Sequence, residues 1–225
     1  MTDTKTFDVS SDRFNFGVSA IGPWESVAAN NDSTYVVLGV SRGGTSAVAG
    51  LLSEFGVHMG RTGKAPLYED LGINRALAKG MDEFKQRALA NNEAHSNWGF
   101  KGNAITHPFE DIAQVLRNPI FVVVFRDLAA IAVRAKLSAD RDVLSILQRQ
   151  TQEYSRIIEF LAAGRYRSVV ISYEKLLAYP ENVIDLLADS IGLKPTDEVR
   201  QAAITSIRPA PEDYLRVSTA TNTNE

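Results

Sequence analysis

A short apolar run, Tyr35-Val36-Val37-Leu38, leads into Gly39-Val40-Ser41-Arg42-Gly43-Gly44-Thr45-Ser46, and this segment holds the residue types best suited to chemistry. Gly43 and Gly44 let the backbone bend closely, so successive N–H groups can point inward at an anion. Thr45 and Ser46 open the helix that follows, where free N–H donors and the positive end of the dipole favour a phosphate-like group. Ala47, Val48, Leu51, Leu52 and Phe55 share one face of that helix. The expected ligand is a single 5′-phosphate that carries a further group. The bland alternative is an ordinary strand-turn-helix with a glycine elbow.

The loop is close to the nucleotide-triphosphate pattern GxxxxGK(S/T), and the departure is informative. Counted from Gly39, that pattern requires lysine at position 45, where this chain has Thr45. The nearest cation is Arg42, inside the loop. The anion cradle is therefore kept without the lysine that nucleotide triphosphatases aim at the outer phosphates.

The remaining elements must bring other groups to this loop. Asn97 to Lys101 reads as a short strand, Ile120 to Phe125 as a strand buried on both faces, and Ser168 to Ser172 as a further buried strand. Helical patterns fill the gaps: 67–90 with a break at Gly80, Pro108 to about Arg117, about 128–137, 142–163, about 174–178, 181–191, and one more to about Ile207. Strands alternating with helices predict an α/β, three-layer P-loop fold, a central parallel sheet flanked by helices. Ligands in such folds sit at the carboxyl ends of the strands. That rule gathers Arg42, Lys101, Arg126 and Tyr173 toward one crevice, because each follows a strand.

Residues 1–33 are polar and broken by Gly22-Pro23 and Asn30-Asn31-Asp32, and read as an arm in which Phe14, Phe16 and Trp24 can pack on the domain or on a partner. Residues 34–208 form the P-loop domain, and 209–225 a fraying tail. With 225 residues, one domain can bury a substantial core without crosslinks. The net charge of −3 argues against a general nucleic-acid or anionic-membrane binder, though not against one local basic pocket. Cysteine is absent, which excludes disulfides and thiolate metal sites and is compatible with the cytoplasm. No basic segment followed by an apolar run opens the chain, and nothing approaches the roughly 20 apolar residues of a membrane span. A cytoplasmic location is expected, and oligomerisation stays open.

Five blocks in order carry a resemblance: GVSRGGTSAVAGLLSEFGVHMG, LYEDLGINRAL, WGFK, FVVVFRDLAAIAVR and VVISYEKLLAYPENVIDLLADSIGL. Together they span about 34–193 and resemble the P-loop sulfotransferase family, particularly bacterial members similar to carbohydrate sulfotransferases. The resemblance implies a donor, 3′-phosphoadenosine-5′-phosphosulfate, whose sulfuryl group passes to a hydroxyl or amine of a small-molecule or carbohydrate acceptor. It assigns Arg42, Gly43, Gly44, Thr45 and Ser46 to the 5′-phosphosulfate. A sulfuryl group carries less charge than a phosphoryl, so fixed cations and N–H dipoles can support its transfer and no metal is expected.

Within the same resemblance, Arg126 matches the arginine of the donor's 3′-phosphate. The family motif continues with proline and serine, where this chain has Leu128 and Arg134. Arg134 either supplies a replacement cation or is a solvated helix residue. Tyr173 matches a tyrosine near the adenine, or is core packing. The acceptor must lose its proton, which calls for a base. Glu69, with Asp70 beside it, occupies the block where related enzymes place a glutamate. It can equally be a helix-start acid. His107 is the alternative base, although it lies six residues after Lys101 rather than two. Lys101 matches a lysine that steadies the bridging oxygen, or is a strand-end lysine in solvent. His58 and His95 have no such placement. Two rival functions stay open: a magnesium-dependent P-loop kinase with Asp127 as metal carboxylate, and a nucleotide-binding module without catalysis.

Overall fold

Two apolar runs set the centre of the sheet. β2 (Ser33–Leu38) is buried at every position, and β4 (Pro119–Phe125) at all but its two ends. Strands hidden on both faces need helices on both sides, and their β-branched residues suit the pleat. The computed structural model describes residues 15–24, 32–60, 68–102, 107–139 and 142–208. Its sheet has the order β1 (Val18–Ile21), β5 (Arg167–Ser172), β4, β2, β3 (Asn97–Lys101). The β5–β4, β4–β2 and β2–β3 pairs are parallel, with Val37 between Val122 and Lys101. Their carboxyl ends therefore meet along one edge of the sheet.

The expected parallel sheet gains one antiparallel strand. Val18–Ile21, inside the stretch read as an arm, pairs with β5, Val18 facing Ile171. Its sequence gave little sign of this, because four residues with only Val18 buried make too short and polar a pattern to stand out. Phe16 and Trp24 pack against the core, and the Trp24 indole N–H donates to the Ile21 carbonyl at 3.0 Å. Phe14 and the tail from 209 lie outside the described residues.

Alternation along the strands divides the core into two layers. Val36, Leu38, Phe100, Phe121 and Val123 face one side, covered by α2 (Leu71–Lys79), α3 (Met81–Ala94), α4 (Phe109–Val115), α5 (Leu128–Ala139) and α6 (Val143–Ala162). Tyr35, Val37, Val122, Val124 and Ile171 face the other, under α1 (Thr45–Glu54), α7 (Tyr173–Ala178), α8 (Pro180–Ile191) and α9 (Asp197–Ser206). The result is the three-layer α/β arrangement expected. Among the described residues no helix is long and apolar enough to cross a membrane.

Three boundaries differ from the sequence reading. The helix expected from 67 starts at Leu71, because Asp70 caps it and Tyr68 holds a positive φ of 50°. Pro108 precedes α4 in an extended conformation rather than opening it, and the helix stops at Val115. Within α6 the buried stripe runs through Ile146, Gln150, Tyr154, Ile157 and Leu161, and Ile158 beside it is exposed.

Tyr35 adds a testable consequence of this burial. Its ring is enclosed in β2, and the loss of water pushes its phenol from 10.0 up to about 12, with the Arg167 charge opposing more weakly. Between pH 10 and about 12 the unfolded chain sheds this proton while the folded chain keeps it, so stability present below 10 is lost as pH rises. Across that interval the urea midpoint of the wild type should fall relative to that of Tyr35→Phe. A constant difference between the two would refute the assignment.

Candidate functional site

The loop after β2 is shaped by contacts that leave no room for a side chain. A Cβ on Gly39 would lie 2.8 Å from Thr45 Cγ2 and 2.9 Å from the Val124 carbonyl oxygen. The Gly43 N–H turns back to donate to the Val40 carbonyl at 2.9 Å, so this amide closes the bend instead of facing a ligand. Arg42 and Gly44 both take positive φ, 65° and 95°. Gly44 stands at the N-cap of α1, where no side chain caps the helix and no acidic residue occupies the first turn. The Gly44 and Thr45 N–H groups have no partner among the described contacts. Such a helix start favours an anion, since unspent donors and the positive dipole end point the same way.

Lys101 is delivered to this loop by strand register. It ends β3 beside Val37, and its chain is 4% exposed. Its Nζ donates to Ser46 Oγ at 3.1 Å and pairs with Glu69 Oε1 at 3.0 Å. The lysine is therefore buried against the loop and not solvated at a strand end. Glu69 reaches it because the segment around it is pinned on both sides. Tyr68 lays its ring against Gly50 of α1, where a Cβ would come within 3.1 Å. Asp70 accepts from the Gly72 and Ile73 N–H groups at 2.8 and 3.1 Å, capping α2. The helix-start role thus falls to Asp70, and Glu69 points at the cation.

A second cluster forms at the ends of β4 and β5. Arg126 Nη1 donates to the Arg42 carbonyl at 2.9 Å, and its guanidinium lies 4.6 Å from the centre of the Tyr173 ring. Its Nε is buried without a partner among the described residues. Tyr154 was not anticipated as a site residue. Its hydroxyl accepts from the Arg126 backbone N–H at 2.9 Å and lies 3.2 Å from the Arg126 carbonyl, to which it donates. Burial pushes the Tyr154 phenol up, so it remains a protonated donor. A buried tyrosine needs a hydroxyl partner, and that was the available signal. Glu174 accepts from the Asp127 N–H at 3.0 Å.

Other sequence-derived candidates lie as follows. Asp127 directs its carboxylate at the Ala130 N–H, 2.7 Å away, as a cap of α5. Arg134 is half-buried on α5. The backbone carbonyl of His107 accepts from the Arg156 guanidinium of α6, and its Nδ1 is buried without a partner among the described residues. His58 and His95 stack on each other with centroids 3.8 Å apart. Among the described residues, no group of three or more His, Asp or Glu side chains could hold a metal ion.

Neither a protein-family model nor a curated protein matches this sequence. Solved structures do resemble it. The sulfotransferase domain of the Synechococcus PCC 7002 olefin synthase matches with a TM-score of 0.50 and 16% identity, covering 87% of this chain and 89% of that domain. Sulfotransferase STF1 from Mycobacterium tuberculosis H37Rv matches with a TM-score of 0.49 and 15% identity, covering 88% and 78%. The first likeness spans nearly the whole of both chains, and shows that this chain has a sulfotransferase-like P-loop fold.

Proposed function

We propose that this protein is a sulfotransferase that moves the sulfuryl group of 3′-phosphoadenosine-5′-phosphosulfate to a hydroxyl or amine of a small-molecule or carbohydrate acceptor. The observation that carries the reading is the buried Lys101 ammonium, which touches loop Ser46 and Glu69 at once. Loop, cation and carboxylate are what the transfer requires. The unspent Gly44 and Thr45 amides, with Arg42 and Ser46, receive the 5′-phosphosulfate. Arg126, with its unpartnered buried Nε, receives the 3′-phosphate. Glu69 takes the proton of the acceptor hydroxyl as its oxygen bonds to sulfur. The bond from sulfur to the bridging oxygen breaks, and the electron pair stays on the 5′-phosphate of adenosine 3′,5′-bisphosphate. Lys101, itself buried, faces that growing charge.

The kinase reading is weaker on a specific point. Asp127, its candidate metal carboxylate, spends one oxygen on capping α5. The chemistry of sulfuryl transfer has no need of that carboxylate.

Turnover of labelled donor across an acceptor panel tests the assignment of the base. Glu69→Gln should slow transfer by about 10²–10⁴-fold, the usual worth of a positioned general base. His107→Ala should retain activity within a few-fold, because among the described residues no contact ties its imidazole to Lys101, Ser46 or Glu69. The opposite ranking would move the base to His107, and full activity in both variants would remove both candidates. Calorimetry should find adenosine 3′,5′-bisphosphate bound equally with and without magnesium. Binding only of ATP with magnesium would favour the kinase.

A further inference from the structure

Arg126 and Tyr173 make contacts that a simple nucleotide-binding role does not explain. Both reach back to the glycine loop. Arg126 Nη1 holds the carbonyl of Arg42, the residue whose positive φ of 65° is costly for any side chain but glycine. The Tyr173 ring lies so close to Gly44 that a Cβ there would sit 2.2 Å from Cδ2 and 2.5 Å from Cε2. The two side chains also hold each other, the guanidinium 4.6 Å from the ring centroid. Arg126 is fixed in turn by Tyr154, which ties both backbone polar groups of that residue.

From these contacts we infer that Tyr173 and Arg126 form a strut holding the loop in its anion-receiving bend. Tyr173 acts as a positioning residue for the 5′ group and not as a platform for the adenine base. The inference deepens the proposed function and rests on its premise that the loop grips an anion. The physical reason lies in the two positive-φ residues. Left to itself, a loop with Arg42 in the left-handed region relaxes toward negative φ, and its N–H groups lose their common direction. A flat aromatic wall against Gly44 and a donor on the Arg42 carbonyl block that relaxation from two sides. The wall must be aromatic, because the same ring has to lie against Gly44 with one part and carry the guanidinium. Ligand at the 3′-phosphate position, through Arg126, is then coupled to the shape of the 5′ site.

Inorganic pyrophosphate is the discriminating probe, because it fills the loop without offering an adenine or a 3′-phosphate. Its affinity and that of adenosine 3′,5′-bisphosphate are measured by calorimetry for the wild type, Tyr173→Phe, Tyr173→Leu and Arg126→Lys. A strut predicts that Tyr173→Leu and Arg126→Lys each weaken pyrophosphate by at least tenfold, while Tyr173→Phe stays within threefold. If those two variants weaken only the adenosine ligand and leave pyrophosphate unchanged, both residues serve the nucleotide alone and the strut is refuted. Should Tyr173→Leu fail to fold, Arg126→Lys with Tyr173→Phe still decides, since the lysine keeps the charge but loses the planar fork. A wild type that binds pyrophosphate but not adenosine 3′,5′-bisphosphate would overturn the proposed donor and leave the strut standing.

Discussion

Replacing Lys101 with methionine should lower sulfuryl transfer by about 10²–10³-fold while leaving the protein folded, the range seen when one preorganised transition-state donor is removed. The lysine is buried, 3.1 Å from Ser46 Oγ and 3.0 Å from Glu69 Oε1. Methionine keeps the unbranched shape and fills the same space. What disappears is the ammonium proposed to face the leaving oxygen. Stability should change little, because a buried cation is costly to desolvate and a matched apolar chain is often neutral or better in its place. Glu69 is 38% exposed and can be hydrated once its partner is gone. Single-turnover transfer and urea unfolding separate the two effects. If transfer survives within tenfold, Lys101 is a packing residue and the proposed stabilisation of the leaving group fails.

The scaffold was legible because its signals are periodic. IFVVVF and YVVL could only be strands hidden on both faces, and the amphipathic pattern of α6 placed that helix to within a residue or two of Val143–Ala162. The rule that ligands collect at strand carboxyl ends put Arg42, Lys101, Arg126 and Tyr173 in one region. Contacts between side chains were not legible. No spacing in the sequence reveals that Asp70 caps α2 while its neighbour Glu69 turns to Lys101, since adjacent residues point in different directions by local geometry alone. Tyr154 sits in an apolar stripe, and a pattern read at helical spacing cannot tell a core tyrosine from one whose hydroxyl anchors a strand end. Val18–Ile21 was hidden for a different reason: an edge strand of four residues buries too little to print a pattern.

Gly44→Ala should be the most damaging single-methyl change in the loop, and Gly56→Ala supplies its control. Both glycines have similar positive φ, 95° and 84°. A Cβ on Gly56 would meet nothing within 4 Å, whereas one on Gly44 would run into Tyr173 at 2.2, 2.5 and 2.9 Å. Both variants therefore bear the left-handed backbone cost of about 1–2 kcal/mol. Gly44→Ala adds an overpacking term of about 1–3 kcal/mol, because the ring must move and the core beneath it is closely packed. Tyr173 cannot retreat freely, being only 7% exposed with Arg126 over its face. Moving the ring shifts Arg126 and loosens its bond to the Arg42 carbonyl, so the damage reaches the anion site. The expected result is a larger stability loss for Gly44→Ala than for Gly56→Ala, with adenosine 3′,5′-bisphosphate binding lost in the first and kept in the second. Denaturant midpoints and calorimetry on the pair measure both. Equal stability losses would mean that the Tyr173 ring yields without cost, and retained binding in Gly44→Ala would show that the bend does not depend on it.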